Sequence, residues 1–178
     1  MPVYIALLRG VNVGGNTLKM DRLRELCAEL GLRNVRTLLQ SGNVVFEVAG
    51  SAPHWAQALE RKLTGQARLP VSVMVKTVAE WSRAIAANPF LKEKGIDTSK
   101  LLVTFLDHPP AEAALERLRA VDAGNDRFHS LASAIYLNCP NGYGRSKLSN
   151  NVIERLLSLR ATTRNWNTVR KLADLSSE

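Results

Sequence analysis

Residues 35–48 read VRTLLQSGNVVFEV, two runs rich in β-branched and apolar side chains on either side of Ser41-Gly42. A two-residue link ending in glycine suits a tight hairpin, because its backbone twist matches that of the flanking strands. The segment therefore predicts strands over Val35–Gln40 and Asn43–Val48. Upstream, Met20 to Leu30 carries apolar residues at 20, 23, 26, 27 and 30, a helical stripe that Gly31 stops as a cap. Val3 to Leu8 is a compact apolar run and reads as a buried strand. Downstream, Pro53 opens a helix to about Ala67, with Trp55, Leu59 and Leu63 on one face, and Val71 to Val75 is a β-branched strand. The order around the hairpin is βαββαβ.

The remainder repeats that order more faintly. Thr77 to Ala87 predicts a connecting helix ended by Asn88-Pro89, since the residue before proline is pushed out of the helical region. Phe90 to Lys100 reads as a polar linker. Leu101–Leu106 is a strand, Pro110–Val121 a helix, and Arg127–Ser130 with Ala134–Asn138 a second hairpin. Asn151–Leu159 is a helix, Ala161–Thr163 a short strand and Asn165–Leu175 a closing helix. We read an α+β protein of two ferredoxin-like split-βαβ subdomains, an internal duplication carried by the order of elements. The expected division is 1–76, a connecting helix and linker over 77–100, and 101–178, with room for a cleft between the halves.

Composition narrows the classes. The 178 residues are 46% hydrophobic and 22% charged, which excludes a disordered tail, a collagen-like fibre and a disulfide scaffold. No apolar run approaches the length of a bilayer span, so no membrane partner is expected. Cys27 and Cys139 stand far apart and suit free thiols in a reducing compartment. Met1 to Gly10 reads as a first strand rather than a signal peptide, so the expected location is cytoplasmic. The net charge is +8, and from Pro140 to Ala173 seven basic side chains face Glu154 alone. A local positive field of that kind attracts phosphates, although a solvated basic face accounts for it equally well.

Four motifs are candidates for chemistry. Arg9 to Thr17, RGVNVGGNT, joins a strand to a helix with the Gly10–Gly15 spacing of a phosphate loop. Asn16 stands where that loop's lysine belongs, so a nucleotide triphosphatase is not expected. A glycine turn with Arg9, Asn12 and Lys19 beside it remains, able to offer backbone N–H groups to an anion or simply to turn the chain. Gln40-Ser41-Gly42-Asn43 is the hairpin turn, and Arg36 shares the strand face of Gln40. Asn141 to Asn150, NGYGRSKLSN, combines a glycine turn, two cations and a helix N-terminus, a good anion site. Within it Asn151 and Glu154 resemble a capping box, and Tyr143 either stacks on a base or packs. Ala161 to Lys171, ATTRNWNTVRK, brings hydroxyls, amides and guanidiniums into one stretch, with Asn165 as helix cap and Trp166 as core.

No HExxH, CxxC, GxSxG or DxDxDG pattern is present, and His54, His108 and His129 are isolated. No metal site, nucleophile or cofactor is expected.

Together LLRGVNVGGN, VRTLLQSGNVVFE, Asn88-Pro89-Phe90, YGRSKLSNNVIE and ATTRNWNTVRKL resemble the bacterial domain of unknown function 1697 family. The resemblance implies two similar α+β subdomains and no particular activity. Its signature positions in this chain are Arg9, Gly10, Asn12, Gly14, Gly15, Gln40–Asn43, Gly144–Leu148 and Thr162–Trp166. Such polar loop residues exceed what packing requires. We therefore expect one phosphate-binding site for nucleic acid. Arg145, Lys147, Arg164 and Arg170 would hold phosphates, and Arg9, Asn12, Gln40 and Asn43 would hydrogen-bond sugar or base. Gly14, Gly15, Ser41, Ser146, Thr162, Thr163 and Asn165 would complete the site. The alternative is an enzyme acting on a small phosphorylated or carboxylated metabolite.

Overall fold

The computed structural model describes residues 1–15, 17–38 and 42–178. The chain divides into two compact units, Met1–Arg83 with Lys171–Glu178, and Ala84–Arg170.

The first unit holds β1 (Val3–Arg9), α1 (Met20–Glu29), β2 (Arg33–Leu38), β3 (Asn43–Glu47), α2 (Ala52–Gln66) and β4 (Ser72–Thr77). Its sheet is antiparallel in the order β2-β3-β1-β4. Alternation along the strands sets one face: Tyr4, Ala6 and Leu8 of β1 and Val44 and Phe46 of β3 pack with Leu23, Leu26 and Cys27 of α1 and Leu59 and Leu63 of α2. Ile5, Leu7 and Val45, on the opposite face, are also fully buried. That two-sided burial is why these strands read as continuous apolar runs rather than alternating ones. Each such side chain contributes about 1.5–3 kcal/mol on burial.

After α3 (Val78–Ala86), the second unit carries β5 (Leu101–Leu106), α4 (Glu112–Arg119), β6 (Arg127–Leu131), β7 (Ala134–Asn138), α5 (Asn150–Leu157) and β8 (Ala161–Asn165); α6 (Trp166–Ser176) follows. The sheet order is β6-β7-β5-β8, again antiparallel. Leu102, Leu106, Ile135 and Leu137 pack with Ala114, Leu115 and Leu118 of α4 and Ile153 and Leu157 of α5.

The two units repeat in detail. Where β1 meets the hairpin turn, the Leu8 N–H donates to the Gly42 carbonyl at 2.8 Å; at the same register the Leu106 N–H donates to Ser133 at 2.9 Å. The outward N–H of each final strand is taken by a helix carboxylate. Val73 donates to Glu60 at 3.0 Å, and Ala161 donates to Glu154 at 3.1 Å. Leu8 pairs with Val73 and Leu106 with Ala161, so the two capped amides are equivalent. An edge strand left with free amides invites pairing with other chains, and both units stop it the same way.

Two local expectations change. The N-cap of α5 is Ser149 rather than Asn151: its hydroxyl accepts the Val152 N–H, and the Glu154 carboxylate accepts the Ala161 N–H at the strand edge. The stretch 90–100 is no plain linker. It forms 3-10 turns at Pro89–Lys92 and Thr98–Lys100, and Phe90 is fully buried under the Arg127 guanidinium, 5.2 Å from its ring centre. Glu93 holds both Arg127 nitrogens at 2.9 and 2.8 Å, which keeps its carboxyl below the usual range. The two compact units divide between Arg83 and Ala84 in α3 and between Arg170 and Lys171 in α6. Arg36 pairs with Glu178 at 3.6 Å, tying the chain end to the first sheet. No helix among the described residues is long and apolar enough to cross a membrane.

Both cysteines are free and buried. Burial pushes the Cys27 thiol up to about 12. A thiol held neutral in the folded state stabilises it below the ordinary thiol range, and that contribution is lost as pH rises from about 9 toward the folded value. Alkaline melting curves should therefore fall more steeply for the native chain than for Cys27→Ala over that interval. Equal slopes would show that Cys27 contributes nothing to the alkaline loss.

Candidate functional site

In the first unit the glycine turn and the hairpin turn meet. Gly10 has φ +94° and lies where a Cβ would come 3.0 Å from the Pro70 carbonyl. Asn12, at φ 55°, clamps the turn: its Oδ1 accepts the Leu18 N–H at 2.8 Å and its Nδ2 donates to the Leu18 carbonyl at 3.2 Å. Asn43 is fully buried and its Nδ2 donates to the Leu38 carbonyl at 3.0 Å, closing the hairpin. Gly14 and Gly15 face open space beside an exposed Val13. Arg9 is half-buried at the root of the turn. Gln40, Ser41 and Asn16 lie outside the described residues.

In the second unit the motifs separate. Thr163 faces α5: its hydroxyl donates to Asn150 Oδ1 at 2.8 Å, and the Asn150 Nδ2 donates to the Ala161 carbonyl at 3.0 Å. Thr162 and Arg164 alternate onto the other face. There the guanidinium donates to Thr162 Oγ1 at 2.8 Å and the Thr163 carbonyl at 2.9 Å, and burial draws its pKa down to about 10. Asn165 caps α6 through the Thr168 N–H at 2.8 Å. Arg170 is exposed on α6.

Arg145 and Lys147 belong to a different surface. The connection from β7 to α5 turns at Gly142 and forms a 3-10 turn over Tyr143–Arg145. Tyr143 packs against the helix-side core rather than standing free. The Ser146 hydroxyl accepts the Leu148 N–H at 3.0 Å and also bonds the buried Cys139 thiol, whose pKa is raised chiefly by burial. Arg145 and Lys147 are exposed on either side of Ser146 and line a hollow of about 380 Å³. The opposite wall is the connection from α4 to β6, with Asp122, Asn125 and Asp126. A neighbouring hollow of about 460 Å³ shares Asp122, Gly124 and Asp126 and adds Val121, Phe128 and His129. Among the described residues, none of Asp122, Asp126, Arg145 and Lys147 is in an ion pair. No three His, Cys, Asp or Glu side chains among the described residues are placed to hold a metal ion.

The glycine turn, the hairpin and the first six strands fall within a stretch that matches a known family, described as Protein of unknown function (DUF1697), over residues 1–136. The chain belongs to the DUF1697 family. No curated protein matches this DUF1697 chain. Among solved structures, the conserved bacterial protein SP0830 from Streptococcus pneumoniae is similar over 98% of both chains, at 19% identity and a TM-score of 0.77. At that identity the likeness extends to the fold alone.

Asp122 and Asp126 went unremarked in the sequence, because DAGND reads only as turn-forming residues. Opposition across a hollow is a property of two loops about twenty residues apart, and no local pattern of the DUF1697 chain encodes it.

Proposed function

We propose that this protein binds single-stranded nucleic acid through the Gly142–Lys147 connection, with Arg145 and Lys147 as the phosphate contacts. The observation behind this reading is that both cations are exposed, in no ion pair among the described residues, and carried at the rim of a hollow by a glycine-hinged turn. Exposed cations without carboxylate partners are what a phosphate backbone displaces counterions onto. The amides of Asn125 and Asn141 in the same hollow add neutral hydrogen-bonding groups of the kind that contact sugar and phosphate oxygens. Asn12, Asn43, Thr162, Thr163, Arg164 and Asn165 hold the turns and strand ends in shape in this reading, since their polar atoms serve internal bonds. We also infer that the chain duplicates a ferredoxin-like unit, a reading supported by the matched strand orders and the equivalent Glu60 and Glu154 edge caps.

Fluorescence anisotropy with a labelled single-stranded 12-mer tests the site. Binding should weaken steeply with salt, and Arg145→Ala with Lys147→Ala should weaken it about ten-fold at low salt. Each lost phosphate contact should also flatten the salt slope by about 0.7. Absent binding at low salt, or an unchanged slope in the double variant, disproves the reading.

A further inference from the structure

We propose that the hollow reads a guanine base, with Asp126 as the specificity-determining residue; this rests on the phosphate-binding reading above. Two basic and two acidic side chains line one hollow of about 380 Å³ without pairing with one another. A surface built only to grip phosphates gains nothing from carboxylates, which would repel the backbone it holds. A ligand with an anionic end and a donor-rich end satisfies both walls.

The two aspartates are not equivalent. Asp122 is exposed and its Oδ1 accepts the Gly124 N–H at 3.3 Å, which makes it part of the turn. Asp126 is half-buried and lines both hollows, and its backbone N–H donates to Ala123 at 3.1 Å, holding the residue in place. Beyond it, Val121 and Phe128 give the second hollow an apolar wall on which a base plane can rest.

An ionised carboxylate only accepts hydrogen bonds. On the Watson–Crick edges, guanine presents two adjacent donors, N1–H and N2–H. Adenine and cytosine each set one amino donor beside a ring acceptor, and thymine flanks one donor with two acceptors. Only guanine meets Asp126 with two parallel bonds and no opposed acceptor, and single strands expose that edge for reading.

The test uses the full chain and oligo-dT hexamers carrying one central dG, deoxyinosine, dA or dC, measured by anisotropy at low salt. The dG hexamer should bind about ten-fold or more tightly than unsubstituted oligo-dT, the discrimination typical of a good bidentate pair. Deoxyinosine, which lacks the N2 amine, should lose most of that gain. Asp126→Asn presents one acceptor and one donor and should move the preference from dG to dA and dC, whose edges each set an amino donor beside a ring acceptor, with a melting temperature near that of the native chain. A merely structural Asp126 would weaken all hexamers alike. Equal affinity for all four hexamers, still lost in the Arg145→Ala, Lys147→Ala double variant, overturns the guanine assignment and leaves the phosphate reading standing. No binding to any hexamer overturns both.

Discussion

Gly42→Ala should destabilise the protein by about 4 kcal/mol. The residue has φ +80°, a left-handed conformation that costs an ordinary side chain about 1–2 kcal/mol. Space is the larger problem. A Cβ at Gly42 would stand 2.6 Å from Val11 Cγ2 and 2.7 Å from Leu8 Cβ. Both neighbours are almost fully buried, Leu8 within the strand that anchors the first core. Neither can swing aside without opening that core, and overpacking of this kind costs about 1–3 kcal/mol. The Gly42 carbonyl also accepts the Leu8 N–H, so a shifted turn loses a ladder bond as well. Gly15→Ala is the control: its φ is +85° but nothing lies within 4 Å of the added methyl, so only the conformational part remains. Urea unfolding followed by far-UV circular dichroism separates the two. Equal losses would mean that the close approach at Gly42 carries no energy.

The legibility of this chain follows the range of the forces involved. Strand and helix order was readable because alternation and helical stripes are local, and Ser41-Gly42 marked a hairpin whose glycine the fold does require. Asn165 was readable as a cap for the same reason, since an amide accepts an N–H three residues on. Glu154 was not. Its spacing from Asn151 satisfies the capping rule, yet its carboxylate goes to Ala161, because an outward strand amide beside α5 needs an acceptor. The polar family signature has a structural side that the sequence does not display. Asn12, Asn43 and Thr163 looked like more polarity than packing needs, but each hydrogen-bonds a turn, a hairpin or a neighbouring helix. Sequence shows that an amide is present; only the fold shows whether its bonds are already made. Arg164 illustrates the same limit, since alternation along β8 turns it away from α5 and from the hollow that Arg145 lines. Asp126 was invisible because its meaning depends on a cation arriving from another loop.

The hydroxyl relay between β5 and α5 supports the second large effect. Thr104 is fully buried, and its Oγ1 lies 2.7 Å from that of Thr163, its register partner on β8. Thr163 donates its only hydroxyl proton to Asn150 Oδ1, so the Thr104 hydroxyl must be the donor to Thr163. Thr163→Val keeps the volume but strips the middle of the relay. It leaves the Thr104 hydroxyl without an acceptor and Asn150 Oδ1 without its donor. An orphaned buried group costs about 1–3 kcal/mol, and with Asn150 half-buried we expect about 2–3 kcal/mol in all. Thr104→Val removes only the first donor and should cost about 1 kcal/mol, because Thr163 keeps its bond to Asn150. The two changes should not add. Once Thr163 is valine, Thr104→Val deletes the stranded hydroxyl and replaces it with a buried methyl, so the double variant should be more stable than Thr163→Val alone. Chemical denaturation of the four proteins of this cycle measures the coupling directly. A double variant less stable than Thr163→Val would reverse the direction of donation and with it the role of Asn150 in seating α5 on the sheet.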